Sequence, residues 1–134
     1  MSEREPGYPE ALADNRRSAG FPSPADDYLE LKLDLNSLLI KHREATFFLR
    51  VEGDSMVGAG IHSGDLIIVD RALQAQHKKV VVAVLDGELL VRRLSLQGSE
   101  ISLVAENSDF TDIKIAEASS FEIWGTVTNV IHEL

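Results

Sequence analysis

Between residues 46 and 132 the chain is divided into short apolar stretches, each closed within a few residues by a turn signal. Stretches of this length suit strands better than core helices, which need longer runs at a 3.6-residue period. The expected strands are Thr46–Val51, Asp65–Asp70, Lys79–Leu85, Glu88–Leu94, Ile101–Ala105, Asp112–Ile115 and Phe121–His132. Asp86-Gly87 separates two of them by two residues that both accept positive φ, the strongest short-range hairpin signal. Gly98 and the cluster Asn107-Ser108-Asp109 mark further turns. Almost no helical periodicity follows residue 60, so the expectation is a compact, mainly β, mostly antiparallel fold. One short helix is expected earlier, in DLNSLLIKH. There Asp34 can cap a turn whose Leu35, Leu38 and Leu39 share a face.

Residues 1–27 differ in kind. They hold all four prolines (Pro6, Pro9, Pro22, Pro24), few apolar residues and neither period, and are expected to be a mobile tail preceding a domain at 28–134. Within them Arg16-Arg17-Ser18-Ala19-Gly20-Phe21-Pro22 is a stretch that lies extended easily, as a chain entering a protease groove must. A chain of 134 residues suits one domain. Its longest apolar runs, such as Leu66–Val69 and Val80–Leu85, fall far short of the roughly 20 residues that cross a bilayer. The N-terminus lacks a positive-then-apolar leader pattern, and the cytoplasm is the expected compartment. With no cysteine, disulfides, thiolate catalysis and Cys-based metal sites are excluded together. The net charge of -9 repels a phosphate backbone, so no direct grip on nucleic acid is expected. Arg16-Arg17 and Lys78-Lys79 read as solvated surface pairs.

The stretch that carries chemistry is VEGDSMVGAGIHSGDLIIVD, Val51 to Asp70, where Ser55 sits in a glycine-rich bend leading into an apolar run. A serine hydroxyl needs a base within hydrogen-bond reach to become a nucleophile. His42, His62, His77 and His132 each stand beside a turn or chain end, outside any recognisable triad context. No two of them have the spacing of a helical metal site, and Gly53, Gly58, Gly60 and Gly64 do not match a phosphate-binding or dinucleotide fingerprint. Neither metal nor cofactor is expected. The other activator of serine is a lysine kept neutral by burial on an apolar strand. DGELLVRRL is an element of that kind: Leu90, residue 92 and Leu94 alternate onto one face, with Leu89, Val91 and Arg93 on the other. Residue 92, however, is arginine.

AGFPSPADDYLE, DLNSLLIKH, GDSM, GDLIIVD, DGELLVRRL and EIWGTVTNV together resemble UmuD-type proteins, over roughly residues 18 to 134 and in register. That family comprises self-cleaving subunits of the error-prone DNA polymerase V, grouped with LexA-like repressors among Ser–Lys autopeptidases. The resemblance implies a β-rich LexA/UmuD-like domain and a serine nucleophile at Ser55, with Met56 beside it. It further implies a scissile bond at Ala19-Gly20 and a base at position 92, 92 − 55 = 37 residues after the serine. Implied partners are a second copy (or a cleaved or active paralogue), the polymerase catalytic subunit, and a RecA filament on single-stranded DNA that stimulates cleavage after damage.

Arg92 departs from that pattern, because a guanidinium, with a pKa above about 12, is not a usable general base. Three accounts stay open at this level: an introduced replacement trapping the uncut form, a natural arginine in a non-cleaving paralogue, or another base such as Lys78 or Lys79. Loss or severe weakening of self-cleavage is the favoured expectation. In the second account the tail is still cut in trans, since a substrate needs only the bond. Plainer roles exist for the same residues: Ser55 as a turn residue, Arg92 as a surface residue near Glu88, and Phe47, Phe48 and Trp124 as packing. The apolar segment Ile123–Ile131 is expected to offer a sheet edge for dimerisation, and Gly125 to mark a bulge. The competing reading from another class, a LexA-type or phage-type repressor, would need a DNA-binding domain ahead of the peptidase part, and only 19 residues precede the scissile bond.

Overall fold

The computed structural model describes residues 34–134, in two compact units divided between Lys41 and His42. The expected tail and its Ala19-Gly20 bond lie outside the described residues. In the first unit, α1 (Leu35–Leu39) is capped as expected: Asp34 Oδ1 accepts from the Asn36 and Ser37 amides, and Oδ2 from the Ser37 hydroxyl. Leu35 is left largely exposed.

In the second unit, β1 (Thr46–Arg50), β2 (Leu66–Asp70), β3 (Val80–Leu85), β4 (Glu88–Gln97), β5 (Glu100–Val104), β6 (Ile113–Lys114) and β7 (Phe121–Ile131) form one sheet of order β1-β2-β7-β3-β4-β5-β6. Every pairing is antiparallel. The mainly β reading holds, with strand ends shifted by one to three residues. Asp86 and Gly87 take φ of 50° and 85° in the β3–β4 hairpin, the doubly positive turn their side chains permit.

The central strands read as continuous apolar runs because both faces of the sheet are covered. Val81 and Ala83 enter one core cluster with Leu94 and Leu103, while Val82, between them, joins Val51, Met56, Ile61, Ile67 and Val69 in the other. Alternation reappears on β4, where Arg92 and Leu94 are buried and Leu89 is exposed. The register slips at Val82/Ala83 opposite Gly125–Ile123. A Cβ at Gly125 would stand 2.5 Å from Val69 Cγ1, so the bulge expected there has a packing cause.

One expectation fails. The segment Ile123–Ile131 is not an edge: β7 is hydrogen-bonded to β2 on one side and β3 on the other, leaving β1 and β6 at the margins among the described residues. Phe47 and Phe48 stand on the β1 margin and are 42% and 52% exposed. Phe47 still meets Trp124, with ring centroids 5.2 Å apart, and the Arg71 guanidinium lies over the other ring.

A buried carboxylate stands at each end of β2, Asp65 just before the strand and Asp70 as its last residue. Asp70 Oδ2 is 2.6 Å from His42 Nδ1, and Asp65 Oδ1 is 2.6 Å from His132 Nδ1. An ionised carboxylate only accepts, so each Nδ1 carries the shared hydrogen. Burial pushes the Asp70 carboxyl up, but His42 and the Ala72 and Leu73 amides outweigh it and hold the group below its ordinary value.

Candidate active site

Ser55 leads a turn pinned from three sides. Met56, which follows it, is 2% exposed and sunk in the core, and its carbonyl accepts from the Ala59 and Ile61 amides. The Ser55 carbonyl accepts from the Glu106 amide at 2.8 Å, and the Glu106 carbonyl accepts from the Gly58 amide at 2.7 Å. Asn107 Nδ2 donates to the Asp54 carbonyl, and Ser63 Oγ accepts from the Gly53 amide. The bend thus needs Gly53 at φ +91° to turn, and Gly58 for another reason: any Cβ there would lie 2.7 Å from the Glu106 carbonyl oxygen.

Arg92 reaches this turn from β4. Its Nη1 donates to Ser55 Oγ at 2.7 Å and to the Val91 carbonyl at 2.9 Å. The side chain is 9% exposed, its Cζ lies 5.9 Å from the Phe110 ring centroid, and Nε is buried with no partner among the described residues. Burial holds the guanidinium pKa below its ordinary value, against the nearby Glu88 charge, which raises it. The next residue, Arg93, turns the other way: its Nε donates to Glu106 Oε2 at 2.8 Å and its Nη1 to the Lys78 carbonyl. Glu106 is therefore tied to both the serine turn and β4.

Ser55 and Arg92 open onto a groove of about 390 Å³, lined by Leu49, Val51, Glu52, Leu89, Val91 and Phe110 among others. Along its β4 side, among the described residues, Glu88–Arg92 pair with β3 alone; pairing with β5 begins only at Arg93. An extended peptide could add to that open edge by backbone hydrogen bonds. Neither Lys78 nor Lys79 lines the groove; Lys79 lines a separate hollow with Leu73, Gln74 and Thr126. Glu88 also lines the groove but takes none of the Arg92 hydrogen bonds.

Of the sequence-derived site residues, the fold brings Ser55 and Arg92 into contact, while Ala19 and Gly20 lie outside the described residues. Glu106, Asn107 and Phe110 were not legible as site residues. Only the turn at Asn107-Ser108-Asp109 was visible in sequence, with nothing to say that it braces a serine fifty residues earlier.

The Peptidase S24-like family model matches residues 11–128. Protein ImpA of Escherichia coli is 46% identical over 93% of this chain and 85% of that protein. Protein MucA of Escherichia coli is 44% identical over 88% of this chain and 81% of that protein. The LexA repressor of Cupriavidus taiwanensis is 37% identical over 87% of this chain but 53% of the repressor.

Proposed function

The chain belongs to the Peptidase S24-like family, and from that premise we propose that it is a UmuD-type accessory subunit of an error-prone translesion polymerase in the DNA-damage response. Removal of its N-terminal tail at Ala19-Gly20 switches it on. One observation carries the reading: Arg92 Nη1 and Ser55 Oγ meet 2.7 Å apart inside a groove flanked by a β4 segment whose outer edge no described strand pairs.

That contact has two sides. It supports Ser55 as the nucleophile position and residue 92 as the position of its base. It also accounts for weak or absent self-cleavage, since a guanidinium that donates to the hydroxyl oxygen cannot take up the hydroxyl proton. The chain then acts chiefly as a binding module, pairing with a second copy or an active paralogue and with the polymerase catalytic subunit. Its own tail is a substrate that a lysine-bearing partner cuts in trans. A RecA filament is the stimulus, reached through protein contacts rather than through DNA.

The test is intact-mass spectrometry of the full chain at raised pH, comparing the parent, Ser55→Ala, Arg92→Lys and the double variant. The expected result is a fragment beginning at Gly20 in Arg92→Lys alone. If the lysine variant and the parent stay equally intact with RecA filament and nucleotide present, the Ser55–residue 92 pairing is not a catalytic one. The repressor reading rests on the LexA identity, which covers only about half of that protein; an unshifted operator-length DNA fragment in a gel assay would set it aside.

A further inference from the structure

The register of the sheet also brings three ligating side chains to one corner. β2 and β7 pair Leu66 with Ile131, so one step further along both chains lie Asp65 and His132. His62 arrives at the same corner through a turn closed by two bonds: its amide donates to Asp65 Oδ2 at 2.8 Å, and the Asp65 amide donates to its carbonyl at 3.0 Å. His132 Nδ1 is 2.6 Å from Asp65 Oδ1 and His62 Nδ1 is 3.7 Å from Asp65 Oδ2; taking one ligand atom from each residue, the three fall within 4.8 Å of one another. The two imidazoles are tilted, with centroids 5.2 Å apart.

The geometry points to a divalent transition-metal site, zinc being the natural occupant, built from His62, Asp65 and His132. Imidazole and carboxylate suit such an ion, and two histidines with one carboxylate make up three of its four tetrahedral positions. Bonds of about 2.0–2.1 Å place neighbouring ligand atoms roughly 3.4 Å apart. The His132 separation, to Oδ1, is shorter than that, and the His62 separation, to Oδ2, is longer, so the two half-exposed rings turn to share the carboxylate while Asp65, 3% exposed, stays put. The ion replaces the hydrogen that His132 Nδ1 shares with Asp65, and the fourth position is left to water. Two ligands come from one tight turn and the third from a distant segment, so binding clips the end of β7 to the start of β2. The same corner closes the serine loop, because the Asp65 carbonyl accepts from the Val51 amide and the Gly64 amide donates to the Val51 carbonyl.

The experiment titrates Zn²⁺ alone into the full, tag-free chain by calorimetry, with Co²⁺ as a spectroscopic probe and thermal unfolding as a second readout. One equivalent bound at micromolar Kd, a tetrahedral Co²⁺ absorption and a higher Tm are expected. His62→Ala and His132→Ala, both at exposed positions, should each weaken binding more than about tenfold. His77→Ala should leave it unchanged. Absence of stoichiometric binding overturns the assignment. So does binding that survives both His62→Ala and His132→Ala, which would mean an adventitious ion only.

Discussion

Gly58→Ala puts the support of the serine turn to a quantitative test. Gly58 does not lie in the left-handed region, so alanine would by itself stabilise the chain by about 0.4–1 kcal/mol through a less flexible unfolded state. Against this stands the Glu106 carbonyl oxygen, 2.7 Å from the new Cβ, with Glu106 C and Cβ at 3.4 Å. Bringing that oxygen out to 3.4 Å, an ordinary contact, means a retreat of 3.4 − 2.7 = 0.7 Å by backbone rather than by a pliant side-chain tip. The Gly58 N–H···O Glu106 bond, now 2.7 Å, would stretch to the edge of bonding, and the Glu106 N–H···O Ser55 bond on the same residue would be dragged with it. Two backbone bonds at about 1 kcal/mol each, plus residual crowding, exceed the entropic gain, for a net loss of roughly 1–2 kcal/mol. For a domain of this size that lowers Tm by roughly 5–15 °C. Thermal unfolding by circular dichroism gives the stability, and amide exchange at Gly58 and Glu106 reports the local loosening. In the Arg92→Lys background the same change should slow release of the fragment beginning at Gly20. A Gly58→Ala variant as stable as its parent, with both amides equally protected, would refute the claim that this close approach holds Ser55 in place.

Two further tests address the sheet. Gly125→Ala forces a Cβ to 2.5 Å from the side chain of fully buried Val69, and should cost about 1–3 kcal/mol, read as a lower urea midpoint at unchanged slope. At the end of β2, the Asp70 carboxyl is held below its ordinary value in the folded state despite its burial. Its contribution is therefore fully present above the unfolded pKa of about 4 and is lost as pH falls through the folded value. The urea midpoint of the parent should drop steeply below about pH 4, and less steeply in Asp70→Asn; parallel acid profiles would remove Asp70 as the source.

How much could be read without coordinates divides along a physical line. The strands, the Asp86-Gly87 hairpin and the Asp34 cap were legible because each depends on residues within a few positions of one another. The order of the strands was not. Apolar Ile123–Ile131 looks the same whether it ends a sheet or runs through its middle, and only the pairings on both its sides make it central. Phe47 and Phe48 show the converse, carrying strand-forming aromatics onto an exposed margin.

By itself the amino-acid order determined the periods, the turns, and the kind of side chain at positions 55 and 92, including an arginine that cannot act as a base. Only tertiary structure decided that these two side chains meet, that Glu106 braces the turn between them, and that His62, Asp65 and His132 share a corner. Local conformation is settled by neighbours along the chain, whereas each of these meetings depends on the register of strands far apart in sequence, which hydrophobic burial on both faces of the sheet selects.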